Sequence, residues 1–174
     1  MMTDIFPAGV QAQGNTTFLW LGAMPPSAPP KLSELTAETV LDFTCYLSAE
    51  DVEIGFDQAR EDDTRACHEA TSEAFGATTF SKDSISHIVD PQEIGKATGN
   101  LARGQIEANA TQYCVVIPGV KPGTQLAEGM LCDVYKVEVG EEHISPLSSG
   151  KFKREVKTSW TRIQKAAEIG KAAA

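Results

Sequence analysis

The chain has 174 residues, of which 41% are hydrophobic and 22% charged, enough apolar material for one domain-sized core. Its 15 basic and 24 acidic residues leave a formal net charge of −9, which argues against a nucleic-acid surface built from clustered Lys and Arg. No stretch approaches the roughly 18 to 20 continuous apolar residues of a membrane helix, and the opening MMTDIFPAGVQAQGN lacks the basic and apolar regions of a secretory signal.

Residues 1–36 read as an extended N-terminal arm with a proline-rich linker. Four of the nine prolines fall between Met24 and Pro30. Without an N–H, proline is excluded from central strands and helix interiors, so an extended connector is expected. Ahead of it, Thr16 to Leu21 is a short apolar, β-prone run. Phe18, Leu19, Trp20 and Leu21 are too apolar for solvent, and the stiff linker suggests that they bury against a neighbouring copy.

From residue 37 to 163 the pattern is mainly β. Leu41, Phe43, Cys45 and Leu47 share one face of an expected strand. The acidic stretch 48–63 reads as a long loop or loose hairpin. Further β segments are expected at 64–73, 77–89, 113–117 and 130–139, the last ended by Gly140. One helix is expected near 91–109, with Asp90 as cap and Pro91 in its first turn, weakened by Gly95, Gly99 and Gly104. Residues 151–163 fit a helical stripe or a strand, and the β-branched content of VKTSWTRI favours the strand. Residues 164–174 read as a weak helix or a free C-terminal tail.

Chemistry-bearing motifs are missing. There is no GxSxG, no GxGxxG and no P-loop, because Gly99 to Gly104 is followed by Gln105-Ile106 and not Lys-Ser or Lys-Thr. His68, His87 and His143 lack metal-ligand spacing. Cys67-His68-Glu69 offers zinc-compatible donors, but adjacent strand residues point to opposite faces, so a structural cysteine beside a surface histidine is the plainer reading. Asp62-Asp63 and Glu141-Glu142 read as solvated charge in the absence of a partnering pocket group. Cys45, Cys67, Cys114 and Cys132 form no CxxC pair and read as reduced thiols. No catalytic, cofactor or metal site is expected, and the chain is not read as an enzyme.

The charge is split along the chain. Glu38 to Glu73 holds eleven acidic residues against Arg60 and Arg65, whereas Lys151 onward holds seven basic residues against Glu155 and Glu168. A solvated acidic loop and a solvated basic tail would produce this. The sharper expectation is complementarity between copies, with Asp57, Asp62 and Asp63 meeting Lys153 and Arg154. Such pairs set register more than affinity, and head-to-tail contacts between identical copies build rings or open stacks.

The order of these segments resembles a known family. A proline-bearing arm precedes Leu41-Asp42-Phe43-Thr44-Cys45-Tyr46-Leu47, and an acidic stretch leads to Asp62-Asp63-Thr64-Arg65-Ala66-Cys67. Then follow Val89-Asp90-Pro91-Gln92, the strand Tyr113 to Ile117, Cys132-Asp133-Val134-Tyr135-Lys136-Val137 and a basic final strand. Over roughly residues 38–163 this is similar to the major tail tube proteins of long-tailed, siphovirus-type bacteriophages, especially those infecting actinobacteria. The resemblance implies a β-sandwich closing toward a barrel, flanked by one α-helix, with extended arms and loops. It further implies hexameric rings stacked into a tube within the virion tail, assembled in the host bacterial cytoplasm. The implied partners are the chain itself, the tape-measure protein and the tail terminator, with DNA passing through an acidic lumen without specific binding and no membrane involved. A tail terminator or head–tail connector of similar fold is the alternative, and a monomeric β-sandwich binding module is a third reading.

Overall fold

The computed structural model describes residues 14–47, 53–63, 72–92, 100–147 and 149–170, and these are mainly β. The strands are β1 (Thr16–Gly22), β2 (Leu41–Asp42), β3 (Gly55–Asp63), β4 (Ser72–Ser81), β5 (Ser84–Val89), β6 (Ala110–Pro118), β7 (Leu131–Pro146) and β8 (Phe152–Glu168). Two short helices, α1 (Leu32–Leu35) and α2 (Leu101–Gln105), complete the described elements. One antiparallel sheet runs β2-β1-β6-β7-β8-β4-β3, and β5 also pairs with β8.

Side chains alternate along a strand, so each central strand feeds two apolar layers. One layer gathers Phe18, Trp20, Cys114, Tyr135, Val137, Val156 and Trp160 with Phe43, Ile85 and Ile106. On the opposite face, Leu19, Val115, Ile117, Cys132 and Val134 pack with Leu35 and Ile169. Phe43, just after β2, and His87, on β5, come from opposite flanks of the sheet, yet their rings meet edge-on at 5.9 Å. The sheet therefore curls around the first layer toward closure.

Trp20 stands at the centre of that curl. Its ring lies 5.8 Å from Phe43 and 6.4 Å from Trp160. Its indole N–H donates to Gln112 Oε1 at 3.1 Å, the same oxygen accepts the Glu107 N–H at 3.3 Å, and Gln112 Nε2 donates to the Gln105 carbonyl at 2.9 Å. A buried amide that uses both ends in this way has its desolvation offset by hydrogen bonds and ties α2 to β6 and β1.

Several expectations change at this level. Thr16–Gly22 is no arm. It is an interior strand between β2 and β6, and Phe18, Leu19 and Trp20 are buried in this chain's own layers. The linker after it turns back. Glu34 accepts hydrogen bonds from the Ser27 and Lys31 N–H groups, fixing α1 against the prolines. The strand expected at 41–47 shrinks to two residues and a 3-10 turn, Thr44–Tyr46. Among the described residues of the expected 91–109 helix, Leu101–Gln105 is helical. Asp90 accepts the Gln92 N–H at 2.9 Å, as an N-cap would, but the stretch that would follow such a cap lies outside the described residues. Residues 93–99, including Gly95 and Gly99, are outside the described residues. Much of the expected β segment at 64–73 also lies outside them.

At the other end, β7 does not stop at Gly140. A register shift between Val139 and Glu142 lets it continue to Pro146. Residues 152–168 are strand, so the strand reading of 151–163 holds, and where a weak helix or free tail was expected from 164 the strand continues to Glu168. Near its end β8 accommodates a bulge, where Ala166 adopts φ 46° and its N–H donates to Asp133 Oδ1 at 2.7 Å. Gly170 then bridges to Lys31. Among the described cysteines Cys45 is exposed, while Cys114 and Cys132 are buried, and all three are free thiols.

The aromatic centre predicts a stability order. Trp20→Ala is expected to cost about 3 to 5 kcal/mol by leaving a large cavity. Gln112→Leu is expected to cost roughly 1 to 3 kcal/mol by orphaning the Trp20 and Glu107 donors. Urea unfolding followed by tryptophan fluorescence and circular dichroism checks both.

Candidate assembly surface

β3 and β4 form a hairpin that departs from the sheet. β4 touches β8 through a single register pair, Phe80 opposite Trp160. Phe80 is held there by Tyr135, edge-on at 5.7 Å, and by the Arg162 guanidinium 4.9 Å above its ring. Among the described residues no other register pair joins these two strands to the rest of the sheet. Phe56 to Arg60 on one strand and Phe75 and Ala77 to Thr79 on the other are all exposed. Phe56 and Phe75 show 71% and 72% of their surface to solvent.

The register places these rings on one face. Phe56 pairs with Phe80, and Arg60 pairs with Phe75, whose ring its guanidinium overlies at 5.9 Å. Phe56, Gln58 and Arg60 alternate along β3, and the irregularity between Gln58 and Arg60 is absorbed by the extra residue in β4. Phe80, Phe56 and Phe75 therefore form an aromatic stripe that continues the core face of the sheet outward into solvent.

The expected interface residues separate into three groups. Phe18, Leu19 and Trp20 belong to the interior, and Leu21 packs against the second apolar layer, so none offers a free docking face. Asp57 is exposed on the hairpin, and Asp62 and Asp63 occupy β3 opposite Glu73 and Ser72. Lys153 lies 3.5 Å from Glu155 on the same strand. Arg154 is a correction. It is 2% exposed, paired with Glu142, and donates to the Ile106 carbonyl at 2.9 Å and the Arg103 carbonyl at 3.4 Å. Strand alternation turns it inward, where it caps the C-terminal carbonyls of α2. Within this chain Arg154 is therefore committed to Glu142 and to the end of α2.

His87 is the direct cross-strand partner of Arg154 and is equally buried. Neither ring nitrogen finds a hydrogen-bond partner among the described residues. Burial pushes its imidazole down to about 4, reinforced by Arg154 and Arg103 against the opposing pull of Glu142. The ring is neutral at pH 7. Among the described residues no three His, Cys, Asp or Glu side chains converge as metal ligands, and no helix is long and apolar enough to cross a membrane.

Sequence reasoning missed Phe56 and Phe75. The signal available was the period-two spacing of Phe56, Gln58 and Arg60, hidden within a stretch whose acidity suggested a loop.

Two outcomes follow. Because the unfolded histidine titrates near 6.5 and the folded one near 4, stability from this site is complete above 6.5 and declines as pH falls toward 4. The loss amounts to roughly 3 kcal/mol, and His87→Leu should flatten that slope in denaturation midpoints taken across this range. Separately, Arg154→Glu should cost more than about 3 kcal/mol by setting two carboxylates together in a buried site. Lys153→Glu should stay within about 1 kcal/mol, a contrast that thermal melts resolve.

A family model described as phage tail tube protein matches residues 2–172. No curated protein matches the chain in sequence.

Proposed function

The chain belongs to the phage tail tube protein family, a structural component of the virion tail, and on that premise we propose that it is the repeating subunit of a siphovirus-type tube. Copies join into rings, hexameric by resemblance to tail tubes of this type, and the rings stack around the tape-measure protein up to a tail terminator. Assembly takes place in the host cytoplasm, and the finished tube conducts the genome during ejection. The net charge of −9 suits that conduit, since an acidic wall repels DNA phosphates and leaves the duplex free to slide.

The observation that carries this reading is the β3–β4 hairpin. An isolated two-stranded ribbon is marginally stable in water. Among the described residues this one is exposed on both faces, has β3 at the end of the sheet order and presents two phenylalanines to solvent. An edge of that kind invites pairing with another chain. Contact with further copies supplies the missing cover and backbone partners, which a monomeric binding module would not need.

Sedimentation velocity over a concentration series, with negative-stain microscopy of the same samples, tests the proposal. Hollow tubes or stacked rings that grow with concentration are expected. Isolated rings that never stack would move the chain to a terminator or connector role. A sharp 18.7 kDa species at high concentration, with tape-measure and initiator proteins present, would overturn self-assembly.

A further inference from the structure

Among the described residues β5 pairs along one side only. Its register runs along β8 from Ser84 opposite Lys157 to Val89 opposite Phe152. The two ends are fastened differently. At the start, the Thr158 N–H donates to the Asp83 carbonyl at 3.0 Å, and the Thr158 hydroxyl donates to the Lys82 carbonyl at 2.8 Å. At the finish, Asn100 Nδ2 donates to the Asp90 carbonyl at 3.1 Å and Asn100 Oδ1 accepts the Asp90 N–H at 3.2 Å. Arg103 adds bonds to the Asp90 and Pro91 carbonyls.

His87 sits between these fastenings, turned inward with Ile85 and Val89 by strand alternation. Charged groups reach it from three elements. Arg154 of β8 is its cross-strand partner, Arg103 approaches from α2, and Glu142 of β7 is the one carboxylate acting on it, already paired with Arg154. From the 3-10 turn, the Phe43 ring meets it edge-on, with Tyr46 stacked on Phe43 and the Cys45 thiol exposed. An imidazolium formed here would face two guanidiniums and an aromatic edge.

Outward, the surroundings are different. An open groove of about 560 Å³ runs beside β5, lined in part by Ser84, Ser86, His87 and Glu155. The Glu155 carboxylate is shared by Lys153 at 3.5 Å and Lys157 at 2.7 Å, and His143 lies across from it on β7. Hydroxyls, a carboxylate and water there can solvate a cation that the interior repels.

We propose that β5 is an acid-operated latch: protonation of His87 releases the Ser86–Val89 half of the strand from β8 and α2 and turns the ring into the groove, while β1, β6, β7 and β8 stay paired. A strand held on one side opens as a local unit before the sheet does. The new charge repels Arg103, which fastens the Asp90 end, so the strand yields there and pivots at Lys82 and Asp83, where Thr158 holds the backbone. The protonation step and the element it biases are then in direct contact, as a histidine switch requires. The latch belongs to the single chain, so its failure and failure of the tube reading are separate results.

Hydrogen exchange read by mass spectrometry tests it, on the full-length chain kept below the concentration at which polymer appears. Protection factors are taken against the intrinsic exchange rate at pH 7.5, 6.0 and 4.5. With the imidazole held down at about 4 against 6.5 for an exposed histidine, opening of residues 84–92 should become roughly fiftyfold easier between pH 7.5 and 4.5. Residues 113–117 and 132–139 should keep their protection. His87→Gln and His87→Leu, which take up no proton at this position, should lose the pH dependence of 84–92. Protection lost equally in every strand, or a drop at 84–92 that both variants retain, would overturn the latch. If neither variant folds, the wild-type pattern decides, with loss confined to 84–92 and the adjoining α2 supporting the latch and uniform loss refuting it.

Discussion

The hydrogen bond from the Trp20 indole to the Gln112 carboxamide is the constraint on which the rest of the fold depends. It joins a strand near the start of the described chain to one far along it. It sits where Phe43, Trp160 and the end of α2 converge. An indole N–H buried without an acceptor is costly, so Gln112 must point inward, and its remaining donor then holds the carbonyl of Gln105. The sheet curls around that satisfied polar centre. The same curl brings Phe43 onto His87, whose imidazole has no hydrogen-bond partner among the described residues.

A second polar arrangement lies farther along the same layer. Arg154 caps α2 and pairs with Glu142, while His87, opposite it across β5 and β8, stays neutral. The charged pair is anchored by carbonyls on one side and solvated through the half-exposed Glu142 on the other. The histidine has neither support. This part of the interior thus sets a well-satisfied charge beside a neutral ring whose protonation would add a cation next to it. Acid sensitivity is concentrated there.

How much of this was legible in the sequence depends on whether a signal was local. The strand at 113–117 could be read from its apolar residues, as could the mainly β character. The fate of Phe18 to Leu21 could not, because β1 pairs with β6 some hundred residues away and nothing in the local pattern names that partner. The proline run pointed to an outward arm, whereas Glu34 folds it back through hydrogen bonds that composition does not reveal. Arg154 was legible in principle. Once Phe152, Val156 and Trp160 are placed on one strand face, parity puts Arg154 on that face too. The hairpin was obscured by charge, since carboxylates on an exposed ribbon look the same as carboxylates in a loop.

The single pair joining β4 to β8 also has a mechanical meaning. The hairpin extends from Phe80 to Ser72, eight residue steps and so about 26 Å of strand, with one cross-strand anchor and one aromatic clamp at its base. That is a cantilever. Its stiffness along the strand is that of the hydrogen-bonded ribbon, but its angular compliance is gathered at Phe80 and Trp160. By the same strand geometry, a rotation of about 10° there sweeps the far end through about 4.5 Å while the aromatic centre around Trp20 stays in place. A stack of such subunits would bend at these pivots, with curvature absorbed between rigid bodies and no repacking of any core.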